Sequence, residues 1–110
     1  MNNNGQNGKE VLKLPAYVLI EIEIHDKNMY FQYIEKARPI VESYGGHYLI
    51  RGGNITPLFG DWNPERIILI KFPSHVDVER CFNSKEYLEI AKLRENSTET
   101  RSIILEGYDG

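Results

Sequence analysis

The chain has 110 residues, of which 41% are hydrophobic and 26% are charged, and its formal net charge is -3. This length fits one small globular domain and excludes a two-domain enzyme. The acidic balance and the lack of a basic run argue against nucleic acid as a partner. No apolar run approaches the roughly 20 residues of a spanning helix, and the first residues lack the apolar segment of a signal peptide. We therefore expect a cytoplasmic protein with no membrane partner.

Cysteine and histidine usage limits the possible metal and disulfide sites. Cys81 is the single cysteine, which excludes an internal disulfide and every two-cysteine metal motif. The three histidines have no pair at the helical spacing of a metal site, so we expect no metal and no cofactor. Residues 1–13 are rich in asparagine and glycine, a composition typical of a disordered tail, and residues 14–110 form the predicted single domain.

The first predicted elements are a strand and a long helix. In the strand at 16–24 the even positions are uniformly apolar, whereas the odd positions change from apolar to acidic, so one face is predicted to lie in the core. Asp26 is the predicted N-cap of an amphipathic helix that the glycine pair 45–46 ends. Pro39 lies inside this pattern and predicts a bend or an early end of the helix.

The second predicted strand spans 47–51 and precedes a glycine pair, which indicates a bulge or a close backbone approach; a continuation of this strand at 54–59 is left open. The isoleucine-rich segment at 66–72 has the composition of a central strand that is covered on both faces.

Two predicted helices and a strand complete the chain. Ser74 and Asp77 form a weak capping box before a short helix, and Ser84 is the predicted cap of a further helix ending near Asn96. A last strand is predicted at 101–106.

The resulting order, βαββαβ, predicts a ferredoxin-like α+β fold, with a four-stranded antiparallel sheet and the helices on one face. The other sheet face is predicted to carry the apolar side chains Tyr17, Leu19, Ile67 and Leu69. This face is too apolar to remain in water, and homodimers are the commonest oligomers, so we expect a second copy of the chain to cover it.

Several segments together resemble the bacterial domain-of-unknown-function family 1330 over residues 16–107. They are YGGHYLIRGG at 44–53, GDWNPER at 60–66, FPS at 72–74, NSKEY at 83–87, and Arg94. The resemblance implies a dimeric α/β barrel, in which two ferredoxin-like sheets pack face to face. That superfamily contains cofactor-independent oxygenases, lactone isomerases and haem enzymes, so the fold does not select a chemistry. Phe59 stands where the family has an acidic residue and Cys81 where it has tryptophan. These departures weaken any catalytic role carried over from relatives.

Arg51 and His47 are candidate binding residues on the second strand. Arg51 can hold a carboxylate in a bidentate fork, with the adjacent glycines allowing close backbone approach. The structural alternative is an internal ion pair with one of the acids Glu21, Glu23 and Glu106. His47 is the histidine best suited to acid–base chemistry, and alternation predicts that it shares a strand face with Arg51.

Trp62, in the Gly-Asp-Trp segment, is the third candidate, because its ring can form a pocket wall and its indole can donate one hydrogen bond. The structural alternative is a loop anchor, with Asp61 accepting from Arg66 or capping the turn.

Ser84, Tyr87 and Arg94 are expected to cluster, because Tyr87 and Arg94 are two helical turns apart and Ser84 begins the same helix. They offer hydroxyl, phenol and guanidinium groups to a polar ligand; the structural alternative is a cap, a packed ring and a solvated arginine. Cys81 lies on the apolar face, which favours a buried thiol over a nucleophile.

Two other folds with the same element order are excluded by composition. The strand at 66–72 lacks the exposed aromatics of an RNA recognition motif, and the turn after the first strand lacks the glycine of an acylphosphatase phosphate loop. The expected function is that of a homodimeric small-molecule binding protein, either simply a binder or a cofactor-independent enzyme acting on a small organic acid or phenolic compound. The alternative is a noncatalytic dimeric interaction or stress-related module.

Overall fold

The computed structural model describes residues 14–108, and the predicted tail at 1–13 lies outside the described residues. The strands are β1 (Ala16–Ile24), β2 (His47–Arg51), β3 (Arg66–Phe72) and β4 (Thr98–Glu106), and the helices are α1 (Lys27–Ser43), α2 (His75–Phe82) and α3 (Lys85–Ser97). The strands form one antiparallel sheet in the order β2-β3-β1-β4. The ferredoxin-like α+β fold is confirmed, with two helices in the second helical region. None of the described helices has the length and apolarity needed to cross a membrane.

The N-termini of the helices are fixed by the predicted caps. The Asp26 carboxylate accepts from the Met29 backbone N–H at 3.1 Å, and the Ser84 hydroxyl accepts from the Tyr87 N–H at 3.1 Å. Ser74 also donates its hydroxyl hydrogen to the Asp77 carboxylate at 2.8 Å. The Ser74 hydroxyl oxygen also accepts from the Asp77 backbone N–H at 3.4 Å. The three bonds from backbone N–H groups satisfy donors that have no partner within their own helix.

The predicted early end of α1 at Pro39 is wrong, because the helix continues to Ser43. Proline lacks the N–H that would bond to the carbonyl of Glu35, four residues earlier. Both Pro39 and Glu35 are exposed, so water can solvate that carbonyl and the helix can continue.

Strand β2 contains a bulge, which is placed differently from the expectation. Tyr48 pairs with Ile70 and Ile50 pairs with Leu69, so the register shifts at Leu49 rather than at the glycine pair. The predicted close approach does occur at Gly52, where a Cβ atom would lie 2.5 Å from Nη1 of Arg66. No strand is found over 54–59, and this part of the β2–β3 connection is irregular.

The core lies between the helices and one face of the sheet. The even positions of β1 point into it, as predicted from their apolar alternation, and β3 contributes Ile68, Ile70 and Phe72. Tyr30 of α1 and Cys81 of α2 are fully buried beside them. The other face of the sheet has no covering element among residues 14–108. We call it the open face, and its apolar side chains are Tyr17, Leu19, Ile50, Ile67, Leu69, Ile103 and Leu105.

Candidate functional site

A cavity of about 430 Å³ lies between the helix-facing side of the sheet and the three helices. Its floor is the apolar side chains of β1 and β3, and its roof comes from α1, α2 and α3. Several lining residues are exposed, among them Leu88 of α3 and Ser102 and Ile104 of β4, so the cavity is open to solvent. A largely apolar concave site with few polar groups is the usual form of a small-molecule pocket.

Three polar side chains meet in the cavity wall, and we call Tyr33, Tyr87 and Arg94 the tyrosine–arginine cluster. The Tyr33 and Tyr87 hydroxyl oxygens are 2.8 Å apart, in a hydrogen bond that either group can donate. Nε of Arg94 donates to the Tyr87 hydroxyl oxygen at 3.0 Å. The packing of α1 against α3 brings Tyr33 to Tyr87, whose rings meet edge to face with centroids 6.2 Å apart.

Burial changes the protonation behaviour of this cluster. Removal from water raises the pKa of Tyr33 far above its ordinary value, and the neighbouring Tyr87 adds to the shift. Burial is the largest single effect on Arg94 and lowers its pKa, but Tyr87, Tyr33 and Glu95 together outweigh burial and the pKa is raised. Near neutral pH the cluster therefore contains a protonated Tyr33 and a charged guanidinium.

Arg51 lines the same cavity from strand β2. Its guanidinium carbon lies 5.3 Å from the centroid of the Tyr48 ring, and burial raises the pKa of Tyr48 to about 12. The bulge at Leu49 explains this placement, because the extra residue turns both Tyr48 and Arg51 toward the helices. Arg51 forms no ion pair with any residue in the described part of the chain.

The predicted ion pair of Arg51 with Glu21, Glu23 or Glu106 is therefore wrong. Glu21 instead accepts from Nη2 of Arg101 at 2.9 Å, and these two residues pair across β1 and β4 on the open face. Arg51 and Glu21 lie on opposite faces of the sheet.

His47 does not share a face with Arg51, which corrects the expectation from alternation. It pairs with Lys71 and points to the open face, because one extra residue in β2 reverses the phase of the strand. Trp62 is also outside the cavity, and its half-exposed side chain lines a shallow depression on the open face together with Leu19 and Ile103. His47 and Trp62 are thus separated from the cavity by the sheet.

Ser84 serves the fold, and Asp61 lacks the arginine partner that was predicted for it. The Ser84 hydroxyl caps α3 and donates to the Cys81 carbonyl oxygen at 2.7 Å, so its hydrogen-bonding capacity is used within the fold. Arg66 donates from Nε to the Tyr30 hydroxyl at 3.0 Å, and the predicted bond to Asp61 is absent among residues 14–108. Cys81 is fully buried as predicted, and burial raises the pKa of its thiol to about 12.

Of the six candidate residues, the structure brings Tyr87, Arg94 and Arg51 to the cavity. Tyr33 and Tyr48 were not among the candidates, because each belongs to an apolar pattern that is typical of core packing.

A cluster on the surface was also not predicted: ligand atoms of Glu23, His25 and Glu99 lie within 4.8 Å of one another at the ends of β1 and β4. All three side chains are exposed, an arrangement common on acidic surfaces, and they are separate from the cavity.

Solved structures with the same fold come from several organisms. A protein of unknown function from Rhodopseudomonas palustris has a TM-score of 0.76 at 17% identity, over 98% of this chain and 97% of that chain. SnoaB, a cofactor-independent oxygenase from Streptomyces nogalater, has a TM-score of 0.61 at 6% identity, over 88% and 96%. A dimeric protein of unknown function with a ferredoxin-like fold from Bacteroides fragilis has a TM-score of 0.52 at 12% identity, over 84% and 96%. At these identities the likeness establishes the fold.

A search of curated proteins found no match. The sequence itself matches a family described as Domain of unknown function (DUF1330) over residues 15–108, which is nearly the whole described range. The segments at 44–53 and 60–66 that carried the resemblance lie within this match. The chain therefore belongs to the DUF1330 family.

Proposed function

We propose that this protein is a homodimer that binds a small organic acid or phenolic compound in the cavity between the sheet and the helices. The observation that carries the proposal is the cavity itself, with its volume of about 430 Å³, its apolar floor and the tyrosine–arginine cluster in its wall. Ligand pockets commonly have volumes of about 300–1,000 Å³, so this cavity suits a small molecule.

The open face supports the homodimer. Its seven apolar side chains span all four strands, and they remain partly or largely exposed in one copy of the chain. An exposed patch of this kind marks an interaction surface, and a two-fold axis would cover it with an identical patch. The Bacteroides fragilis protein with the same fold is a dimer.

We further propose that the cavity catalyses a reaction of the bound compound without a cofactor. SnoaB acts without a cofactor, so this fold accommodates such chemistry, although SnoaB is only 6% identical to this chain. The tyrosine–arginine cluster can donate hydrogen bonds to a substrate oxygen in the cavity and so stabilise negative charge that develops on it. Burial raises the pKa of Tyr33, so near neutral pH this phenol stays protonated and acts as a hydrogen-bond donor, not as a group that gives up its proton.

A ligand screen by thermal shift tests the proposal. Small acids and phenols should raise the melting temperature of the native protein. Ala91→Leu, which adds three carbons inside the cavity, should abolish that shift while the protein remains folded. Ser102→Leu fills the same cavity from an exposed position on β4 and replaces Ala91→Leu if that variant does not fold. Equal shifts in the native protein and a folded filled variant would contradict the proposal.

The second candidate function is a noncatalytic dimeric module, in which the polar groups serve the fold. It is favoured by the hydrogen bond from Arg66 to Tyr30, because this arginine bonds to a side chain of its own domain and not to a ligand. Arg51→Ala separates the two functions. A loss of ligand affinity with an unchanged dimer supports the binding protein, because Arg51 lines the cavity and not the open face. A native dimer that binds none of the screened compounds supports the module.

A further inference from the structure

We infer that the ligand of this cavity carries a carboxylate, and that the tyrosine–arginine cluster binds this group while the ligand's apolar body lies on the isoleucine floor. The inference rests on the proposed function and narrows it to one chemical class and one end of the cavity.

The two tyrosine hydroxyls have one hydrogen atom more than the bond between them uses. Tyr33 and Tyr87 together have two hydroxyl hydrogens, and one of them lies in the 2.8 Å bond between their oxygens. Neither hydroxyl has an acceptor other than its partner among residues 14–108. The second hydrogen is therefore available to an acceptor that enters the cavity, whichever tyrosine donates to the other.

Arg94 adds further donors at the same place. Its Nε is used by Tyr87, and its Nη2 forms an ion pair with the Glu95 carboxylate at 3.8 Å, which is too long for a hydrogen bond, so the Nη hydrogens are not used by Glu95. Only a quarter of the Arg94 side chain is exposed. The Nη groups thus supply N–H donors and a positive charge from a partly desolvated position, where charge-assisted bonds are strongest.

These donors match a carboxylate better than the other oxygen ligands. A carboxylate has two oxygens, of which one can accept from the free hydroxyl and the other from the guanidinium. A phenol has one oxygen and leaves part of the cluster unused. A phosphate dianion is disfavoured, because the acids Glu79 and Glu95 line the cavity together with Arg51 and Arg94 and leave no excess of positive charge.

The apolar floor defines the rest of the ligand. Ile20 and Ile22 of β1 and Ile68 of β3 cover the sheet side, and the Phe82 ring lies among the roof residues. These surfaces favour an aromatic ring or a branched carbon chain, because both exclude water from them. Benzoate and phenylacetate are suitable probes, and benzamide and phenylacetamide are their neutral counterparts of nearly equal shape.

Calorimetric titration of the full-length protein with these four compounds tests the inference. Each acid should bind at least about tenfold more tightly than its amide, because a hydrogen bond to a charged group contributes more than one to a neutral group. Tyr87→Phe and Arg94→Gln should each weaken binding of the acids by about 10- to 100-fold. Tyr33→Phe replaces Tyr87→Phe if that variant is unfolded.

Matched controls remove the same groups from positions outside the cavity. Tyr44→Phe removes a phenol hydroxyl at the end of α1, and Arg38→Gln removes an exposed arginine that pairs with Glu42. Both variants should bind the acids as the native protein does.

Each outcome of the titration decides the inference. Equal binding of acids and amides, or equal losses for both in Arg94→Gln, would overturn the carboxylate assignment while the cavity stands as a binding site. Binding of none of the four compounds at millimolar concentration would also overturn it. If, in addition, no compound of the wider screen binds, the proposed function fails as well.

Discussion

Ile103→Lys should weaken the proposed dimer strongly. Ile103 lies opposite Leu19 on the open face, and 54% of it is exposed in one copy. Complete burial of such a side chain contributes about 1.5–3 kcal/mol, so covering the exposed half contributes about 0.8–1.6 kcal/mol in each copy. A two-fold axis doubles the effect to about 1.6–3.2 kcal/mol, which raises the dissociation constant by about 15- to 200-fold. These figures count only the lost apolar burial, and the lysine charge should weaken the dimer further.

Sedimentation velocity over a concentration series measures this change. Phe31→Lys is the control, because Phe31 is 53% exposed on α1 and does not belong to the open face. The dimer of the Phe31→Lys variant should have the same dissociation constant as the native dimer. A native protein that sediments as a monomer at every concentration would show that the open face does not form a dimer, and an Ile103→Lys dimer of native affinity would show that Ile103 is not in the interface.

Three further predictions concern stability and reactivity. Burial raises the pKa of Tyr48 to about 12, so the folded state holds this proton more tightly than the unfolded chain does. The free energy of unfolding should therefore fall as the pH rises from about 10 to about 12, and denaturant titrations of Tyr48→Phe should show a smaller fall. Cys81 is fully buried and its thiol pKa is raised to about 12, so mass spectrometry should detect alkylation by iodoacetamide at neutral pH in unfolded protein only. Equal alkylation rates in native and unfolded protein would contradict the burial of Cys81. Gly46→Ala should cost about 1–3 kcal/mol in urea titrations, because the new Cβ would lie 2.5 Å from Cγ1 of Val41. An unchanged midpoint would show that this contact relaxes freely.

Features encoded in short segments were predictable from the sequence. The even positions of β1 are apolar, and they face the core. Asp26, Ser74 and Ser84 cap the helices that they precede, because an N-cap depends on the side chain and the backbone donors two or three residues later. The order of these elements then left few topologies for the sheet.

The candidate site was less predictable, because it depends on one local irregularity and on contacts distant in sequence. A single bulge at Leu49 places Arg51 in the cavity and His47 on the open face, and no residue type in β2 marks that bulge. Tyr33 and Tyr87 are 54 residues apart, and their bond exists only after α1 packs on α3. The spacing of Tyr87 and Arg94 did indicate their contact, since both belong to α3.

A crystal structure of the protein grown with benzoate would show whether the cavity binds a small organic acid. We expect benzoate in the cavity, with its carboxylate oxygens about 3 Å from a hydroxyl of Tyr33 or Tyr87 and from the Arg94 guanidinium. Its ring should lie on Ile20 and Ile68. A cavity that contains only water, with benzoate bound elsewhere on the protein, would contradict the account.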